Sequence, residues 1–119
     1  MNIAILGYGT VGQGVDEIIS KNRSDLKVTR VFDLPTKKDL LKERFSSVEE
    51  IVNDKDVDIV VECMGGDLIP HIAILSALQN GKHVVTSNKE TVSKHLEEYL
   101  KVAKENNVSF LYEASVMIS

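Results

Sequence analysis

Five short apolar runs, rich in valine and isoleucine, recur along the chain and limit how it can fold. The runs lack clean alternation of apolar and polar residues, which is typical of strands buried on both faces of a parallel sheet. They predict strands at residues 3–6, 28–32, 57–61, 83–86 and 108–112. Helical patterns lie between them, at residues 11–21, 38–44, 48–53, 70–79 and 91–106. Because alternating strands and helices require right-handed crossovers, we expect the α/β class, with a doubly wound parallel sheet in three αβα layers.

The size and composition of the chain fit one globular domain. Its 119 residues, 43% hydrophobic and 27% charged, suffice for a single core over residues 1–119. No apolar run approaches the roughly 18 residues of a membrane span. The net charge of −4, without a dense basic patch, argues against nucleic acid as the main partner. The N-terminus lacks the features of a secretory signal peptide, so we expect a cytoplasmic protein.

Several residues mark the ends of the predicted helices. Ser46 and Ser47 precede an acidic first turn and resemble an N-cap. Pro70 stands where a helix can begin, and Gly81 ends that helix before the next strand. The last predicted helix places its apolar residues along one stripe, at Val92, Leu96, Leu100 and Ala103. It leaves for water the charged residues Lys94, Glu97, Glu98 and Lys101.

A glycine-rich turn directly follows the first predicted strand and opens the first helix, with the sequence Gly7-Tyr8-Gly9-Thr10-Val11-Gly12. Gly7 would make the tight turn, Gly9 would let the backbone approach a pyrophosphate, and Gly12 would let the helix pack close to the strand. Free amides near Thr10 and Val11 would face the phosphates at the positive end of the helix dipole. In this context the motif predicts a Rossmann-type dinucleotide-binding domain, with a plain turn between strand and helix as the alternative.

Asp33 ends the second predicted strand, about 20 residues after the glycine turn. At this spacing its carboxylate is expected to accept hydrogen bonds from the adenosine ribose, although an ordinary turn residue before Pro35 is the alternative. A carboxylate suits a free 2′-hydroxyl and would repel a 2′-phosphate, so NAD is favoured over NADP. Lys37 and Lys38 lie just beyond and could supply positive charge for NADP, but such loop lysines are more often simply solvated.

Three further segments carry a resemblance to a known family: Val60-Val61-Glu62-Cys63-Met64-Gly65-Gly66, Asn80-Gly81-Lys82-His83-Val84-Val85-Thr86-Ser87-Asn88-Lys89 and Tyr112-Glu113-Ala114-Ser115-Val116. With the glycine turn, their order and spacing closely resemble the N-terminal NAD(P)-binding domain of homoserine dehydrogenase over essentially the whole chain. The resemblance implies reversible hydride transfer between a nicotinamide and aspartate semialdehyde, which gives homoserine on the way to threonine, methionine and isoleucine. It also implies a C-terminal substrate and catalytic domain that is absent from this chain. We therefore expect no catalytic residue here, and an isolated chain that binds a dinucleotide without turnover.

The resemblance places further cofactor contacts at the carboxyl edge of the predicted sheet. Met64 and Gly65 would permit close approach to a ribose or nicotinamide, or would form a plain turn. Thr86 ends the fourth strand on the same edge, where Asn88 or Thr91 could cap the next helix. In the family, the lysine that matches Lys89 lies at the cofactor and substrate site, whereas a solvated loop lysine is the alternative.

The resemblance also implies a monovalent cation such as sodium. The glutamate that matches Glu113 would hold it together with backbone carbonyls from the residue matching Val116 onward, and oxygen ligands suit a hard cation. The chain departs from the family at this point, because Met117-Ile118-Ser119 stands where the family has small, glycine-rich residues. This departure puts the cation site in question.

The remaining candidates for chemistry are expected to be structural. Cys63 is expected to be a small buried hydrophobe rather than a reactive thiol. His71, His83 and His95 show no metal-like spacing and are expected at surface or half-buried positions. The expected partners are a dinucleotide and an amino-acid-like substrate, with neither nucleic acid nor membrane, and a homo-oligomer of the longer parent is left open. Another amino-acid dehydrogenase of the same plan, or a non-enzymatic domain that senses NAD(H), stays open as an alternative function.

Overall fold

One parallel sheet of five strands forms the centre of the molecule in this computed structural model, which describes residues 1–113. The strands are β1 (Asn2–Leu6), β2 (Lys27–Phe32), β3 (Ile59–Glu62), β4 (His83–Thr86) and β5 (Phe110–Tyr112). The helices are α1 (Thr10–Asn22), α2 (Lys38–Leu41), α3 (Val48–Asn53), α4 (Leu68–Gln79) and α5 (Lys89–Glu105). None of the helices within residues 1–113 is long and apolar enough to cross a membrane.

The strand order β2-β1-β3-β4-β5 confirms the predicted doubly wound α/β fold. The chain winds outward from β1 in one direction to β2 and in the other direction through β3, which makes the β1–β3 pair the point where the topology reverses. The parallel register aligns the last residues of all five strands in one row: Phe32, Leu6, Glu62, Thr86 and Tyr112. Ligands of such sheets bind outside the carboxyl ends of the strands at this reversal point.

Two apolar cores cover the two faces of the sheet and give the predicted three layers. One face packs under α3, α4 and α5, and its fully buried residues include Leu6, Val60, Val84, Ile51, Ile74, Leu78, Val92 and Tyr99. The other face packs under α1 and α2, and its buried residues are Ile3, Ile5, Ile19, Val28, Val31 and Leu41. Strands buried on both sides explain why the sequence shows continuous apolar runs rather than alternation.

The apolar stripe predicted for the last helix is wrong at one position. Tyr99 is fully buried, whereas Leu100 is 45% exposed. Since each residue turns an α-helix by about 100°, Tyr99 lies almost directly in line with Val92, and Leu100 is turned about 80° away. The charged residues assigned to solvent on this helix are exposed as predicted.

The predicted helix ends at Ser47 and Gly81 are confirmed, whereas α4 begins at Leu68, two residues before Pro70. Ser47 caps α3 in a capping box, in which the amide of Glu50 donates to Ser47 Oγ and the amide of Ser47 donates to Glu50 Oε1, at 3.0 and 2.9 Å. Gly81 follows α4 with a φ of 78°, a left-handed conformation that suits glycine. The helix predicted at 38–44 is shorter than expected, since only Lys38–Leu41 is α-helical and 3₁₀ turns flank it.

Candidate functional site

Gly7 makes the tight turn at the end of β1. Its amide donates to the carbonyl of Phe32 at 2.8 Å, and its φ is +96°. A Cβ at this position would lie 3.1 Å from the backbone carbonyl of Cys63 and 3.0 Å from the side chain of Met64. Both the backbone conformation and the close approach of β3 therefore require glycine here.

The other two glycines of the turn differ sharply in the space around them. A Cβ on Gly12 would overlap the carbonyl of Gly7 and contact Ile5, so α1 packs on β1 only because residue 12 is glycine. A Cβ on Gly9 would meet no atom within 4 Å. Gly9 is the N-cap of α1, and no side chain within residues 1–113 caps this helix. Because the first amides of an α-helix lack partners within the helix, those that follow Gly9 are available to an anion.

Asp33 lies beside the glycine turn, as its spacing predicts. One carboxylate oxygen accepts a hydrogen bond from the amide of Tyr8 and the other accepts one from the amide of Leu34, both at 2.5 Å. A carboxylate has about four acceptor sites, so these two bonds leave capacity for ligand hydroxyls. The geometry therefore fixes Asp33 next to the turn without exhausting it as an acceptor.

A buried charged group behind the turn was missed by the sequence analysis. Asp16, 6% exposed, accepts two hydrogen bonds from the guanidinium of Arg44, both at 3.0 Å, and one from Tyr8 Oη at 2.6 Å. Burial opposes ionisation of Asp16, but the hydrogen bonds from Arg44 and Tyr8 outweigh it and hold its pKa below the ordinary value. The hydrogen bond to Asp16, together with burial, raises the pKa of Tyr8. The available signal was a charge on the inner stripe of α1, between Gly12 and Ile19.

A second polar network joins the carboxyl ends of β3 and β4. The buried carboxylate of Glu62 accepts hydrogen bonds from Thr86 Oγ1 at 2.6 Å and from the amide of Met64 at 2.7 Å. Asn88 donates to the carbonyls of Met64 and Gly66, at 3.2 and 2.8 Å, and its own amide donates to Thr86 Oγ1 at 3.0 Å. Burial raises the pKa of Glu62, although these hydrogen bonds oppose the shift. The network fixes the loops after the two strands against each other.

Asn88 also caps α5, which confirms one of the two predicted caps. Its Oδ1 accepts the amide of Thr91 at 3.2 Å. The same side chain therefore orients the helix and holds the loop that contains Gly65 and Gly66. No role was predicted for Glu62, although a glutamate at the end of an apolar strand was visible in the sequence.

A cleft of about 330 Å³ opens between the start of α1 and the ends of β3, β4 and β5. Its walls are mostly apolar, and the residues that line it are Val11, Val15, Val61, Glu62, Cys63, Val85, Thr86, Ser87, Leu111, Tyr112 and Glu113. Burial and the nearby charge of Glu62 raise the pKa of Cys63 to about 11. The thiol is therefore protonated at neutral pH, although Cys63 is half-buried in the cleft wall rather than buried as predicted.

A wider depression of about 520 Å³ lies at the opposite edge of the sheet, beside Met1, Lys55 and Lys82. It faces the amino ends of the strands, whereas ligands of doubly wound sheets bind at the carboxyl ends. Lys82 is buried there and donates to the carbonyl of Asp54 at 2.7 Å, which gives it a structural role. We therefore place the candidate site in the smaller cleft.

The remaining predicted contacts fall around that cleft in different ways. Gly65 is exposed, and a Cβ there would meet no atom within 4 Å. Lys89 is exposed at the first position of α5. Thr86 lines the cleft, but its hydroxyl is engaged with Glu62 and Asn88. Glu113 lines the cleft as well, whereas the predicted ligand Val116 lies outside the described residues.

Two of the histidines lie in contact, although the sequence shows no metal-like spacing between them. His71 on α4 and His95 on α5 are half-buried, as predicted, but their rings stack with centroids 3.7 Å apart. One ligand atom of each lies within 4.8 Å of the other and of a carboxylate oxygen of Glu98. The residues are far apart in sequence, and the contact arises because successive crossovers place α4 and α5 side by side. His83 lies apart on β4, where its Nδ1 accepts the amide of Ser109 at 3.0 Å.

Comparison with known proteins finds the same family that the sequence motifs resemble. The family model described as homoserine dehydrogenase, NAD binding domain, matches residues 7–113. The homoserine dehydrogenase of Neisseria gonorrhoeae is 34% identical over 98% of this chain, and that of Bacillus subtilis is 37% identical over 98%. A crystal structure of Staphylococcus aureus homoserine dehydrogenase superimposes with a TM-score of 0.86 over 97% of this chain, at 37% identity. The chain spans 29% and 30% of the two curated relatives and 32% of the solved chain.

Proposed function

The chain belongs to the homoserine dehydrogenase family, whose NAD-binding domain it matches, and we propose that it holds a nicotinamide dinucleotide across the carboxyl edge of the sheet. The bound cofactor would serve reversible hydride transfer between the nicotinamide and aspartate semialdehyde or homoserine. The observation that carries the proposal is the open start of α1. Uncapped helix amides follow Gly9, and the space above Gly9 is free. A pyrophosphate fits this position because it supplies acceptors and negative charge at the positive end of the helix dipole.

The two ends of the dinucleotide then fall on opposite sides of the turn. Asp33 is proposed to bind the adenosine ribose, which favours NAD, because its carboxylate would repel a 2′-phosphate. The nicotinamide is proposed to enter the cleft beside Val11 and Val85, with Met64, Gly65 and Thr86 along its path. These apolar walls would exclude water from one side of the ring. Lys89 is assigned to the substrate end of the cofactor, and Glu113, with Val116, to a monovalent cation.

The bound cofactor and the protein have different roles in the proposed reaction. The bound cofactor supplies the hydride carrier, while the protein positions it. The network of Glu62, Thr86 and Asn88 holds the loops around the cleft and fixes where a ring can lie. No side chain of this chain is assigned the proton transfer, so the isolated chain is proposed to bind the cofactor without turning over homoserine. The proposal includes a cytoplasmic location and leaves open a homo-oligomer of the longer protein.

Calorimetric titration of the chain with NAD⁺ and NADP⁺ tests the pyrophosphate position through Gly9→Val. Gly9 has a φ of −85° and open space around its Cα, so the variant is expected to fold while its side chain occupies the phosphate position. Binding of both cofactors should weaken at least about tenfold, the loss of 1.4 kcal/mol. Gly14→Ala is the matched control, since a Cβ there also meets open space but lies one turn further along α1. Unchanged NAD⁺ affinity in Gly9→Val would refute the proposed site.

The same titration tests the cofactor preference through Asp33→Asn. Loss of a charged acceptor should weaken NAD⁺ binding about tenfold or more and narrow the gap to NADP⁺. Asp58→Asn is a matched control, because Asp58 also accepts a backbone amide, that of Asn2 at 2.8 Å, but at the far edge of the sheet. Equal effects of the two variants would show that the loss is structural and would argue against the ribose contact.

A further inference from the structure

The cluster of His71, His95 and Glu98 lies on the surface formed by α4 and α5 and is not used by the cofactor site. The rings of the two histidines stack with an interplanar angle of 23°. His71 Nε2 lies 3.7 Å from Glu98 Oε1. His95 and Glu98 stand three residues apart on α5 and therefore share one face of that helix. Two imidazoles and one carboxylate thus converge from two adjacent helices.

Asp67, at the start of α4, orients the ring of His95. Its two carboxylate oxygens lie 3.0 and 3.2 Å from His95 Nε2. A carboxylate only accepts hydrogen bonds, so Nε2 carries the proton and the lone pair of a neutral ring stands on Nδ1. This is the arrangement of a metal-binding histidine whose second nitrogen donates to a carboxylate.

The hydroxyl group of Tyr99 engages the other ring nitrogen of His71. Tyr99 Oη lies 2.9 Å from His71 Nδ1 and 2.5 Å from Thr91 Oγ1. His71 Nε2 is the nitrogen that faces Glu98, and it carries the lone pair of the neutral ring when Nδ1 donates to Tyr99.

The charge and exposure of the cluster suit a cation that arrives from solvent. The side chains of His71 and His95 are each 23% exposed, and that of Glu98 is 51% exposed. Asp67 and Glu90 lie beside the cluster, and within residues 1–113 Lys94 is the ammonium group that pairs with them, 3.8 Å from Asp67 and 3.4 Å from Glu90. The described surroundings are therefore negative overall.

We propose that His71, His95 and Glu98 form a binding site for a divalent transition-metal cation of the zinc class, which links α4 to α5. Two imidazoles and a carboxylate are a ligand set that suits zinc, and water can complete the tetrahedron. With metal–ligand bonds of about 2.1 Å, two ligand atoms on one ion can be no more than about 4.2 Å apart. One nitrogen of each histidine and one oxygen of Glu98 already lie within 4.8 Å of one another. The stacked rings must turn out of the stack so that both lone pairs point to one ion.

Calorimetric titration of the 119-residue chain with ZnCl₂ tests this site, with circular dichroism as the check on folding. The wild type should bind one zinc ion. His71→Gln and Glu98→Gln should each weaken binding at least about tenfold, the lower end of what even supporting residues contribute. Glu98 is exposed, so its variant is expected to fold even if that of His71 does not. His83→Gln is the matched control, because His83 is the third histidine of the chain and lies outside the cluster.

Cobalt provides a second readout, since Co²⁺ at a tetrahedral nitrogen and oxygen site should give visible absorption bands that zinc displaces. Wild-type zinc affinity in Glu98→Gln, or an equal loss in His83→Gln, would overturn the proposal. Absence of saturable zinc binding in the wild type would overturn it as well. Mg²⁺ should not compete, because it prefers oxygen ligands, and effective competition would point to a plain acidic surface instead.

Asp67 acts in this proposal as a positioning residue rather than a ligand. Asp67→Asn should weaken zinc binding about tenfold to a hundredfold. It should also change the tautomer of His95, which ¹⁵N chemical shifts of the imidazole nitrogens report directly. An unchanged tautomer together with unchanged zinc affinity would show that the ring orientation does not depend on Asp67.

Discussion

The glycine turn and the joined ends of β3 and β4 face one cleft from two sides, yet different physics holds each of them. The turn depends on steric fit between residues close in sequence, since Gly12 has no room for a Cβ beside the carbonyl of Gly7. The opposite side depends on the hydrogen bond that Thr86 donates to Glu62, 24 residues earlier in the chain. Steric fit between residues close in sequence produces a motif that can be recognised from the sequence, whereas a polar network between strands does not.

The largest loss of stability should come from a substitution in the glycine turn, which depends on steric fit. Gly12→Ala forces a Cβ into backbone that cannot move aside, and we expect a loss of about 3 kcal/mol in the free energy of unfolding. Gly14→Ala on the same helix should be neutral or stabilising by about 0.5 kcal/mol, because its Cβ meets open space and alanine favours helix. Urea unfolding of both variants measures the difference. Equal stability of the two would mean that α1 can shift away from β1.

This contrast explains how much of the molecule could be predicted from sequence. The five strands and the order of the helices follow from apolar periodicity, and the glycine turn from its place between strand and helix. The position of Asp33 beside the turn could be predicted from its spacing alone, and its role in binding the ribose stays a prediction. The pairs Asp16–Arg44 and His71–His95 could not be predicted, because each joins elements whose relative position depends on the finished fold.

The exposed position of Leu100 also could not be predicted from the sequence. A leucine at the edge of an apolar stripe and a tyrosine next to it are both plausible core residues by type. The structure buries Tyr99, whose ring packs against Phe110 with centroids 5.0 Å apart. The phase of a helix is known only to within about one residue, or 100°, from its pattern. The correct face emerges only when the neighbouring elements are in place.

The buried ion pair behind the turn should show the next largest effect. Arg44→Met leaves Asp16 buried without its cation, and we expect a loss of about 2 kcal/mol at neutral pH, reduced from a fully buried pair because Arg44 is partly exposed. Lys21→Met, which breaks the exposed pair with Glu17 on the same helix, should cost less than about 0.5 kcal/mol.

The pH dependence of Arg44→Met sharpens this test. In the folded wild type, burial is outweighed by the hydrogen bonds from Arg44 and Tyr8, which hold the pKa of Asp16 below its ordinary value. A lowered carboxylate pKa contributes stability above the unfolded value, and that contribution is lost as the pH falls through the folded value. The difference between wild type and Arg44→Met should therefore shrink in acid. A difference that is constant with pH would mean that packing, rather than charge, determines the effect.

Glu62→Gln tests the polar side of the cleft directly. The amide would place a donor against either the Met64 amide or the Thr86 hydroxyl, and we expect a loss of about 1.5 kcal/mol at acid pH. Because burial raises the pKa of Glu62 above its ordinary value, the folded protein binds this proton more tightly than the unfolded chain. Wild-type stability should therefore fall, relative to the variant, as the pH rises from the ordinary glutamate pKa through the raised one.

Urea unfolding at several pH values measures this trend, with the exposed Glu17→Gln as the control. That control should change stability by no more than about 0.5 kcal/mol, since Glu17 pairs with the exposed Lys21. If wild type and Glu62→Gln instead respond identically to pH, the buried carboxylate is not the group that titrates, and the network would have to be held by neutral hydrogen bonds.

The smallest effect should come from a polar contact that the sequence did reveal. Ser47 and Glu50 satisfy each other's backbone amides within one turn of α3, so the pattern is local even though the physics is hydrogen bonding. Ser47→Ala should cost about 1 kcal/mol, whereas Ser93→Ala, at an exposed position inside α5, should be neutral or slightly stabilising. If thermal unfolding finds Ser47→Ala as stable as Ser93→Ala, water replaces the cap. In that case the capping motif would predict where a helix begins without contributing measurably to its stability. How well a contact can be predicted from sequence would then not indicate how much it stabilises the fold.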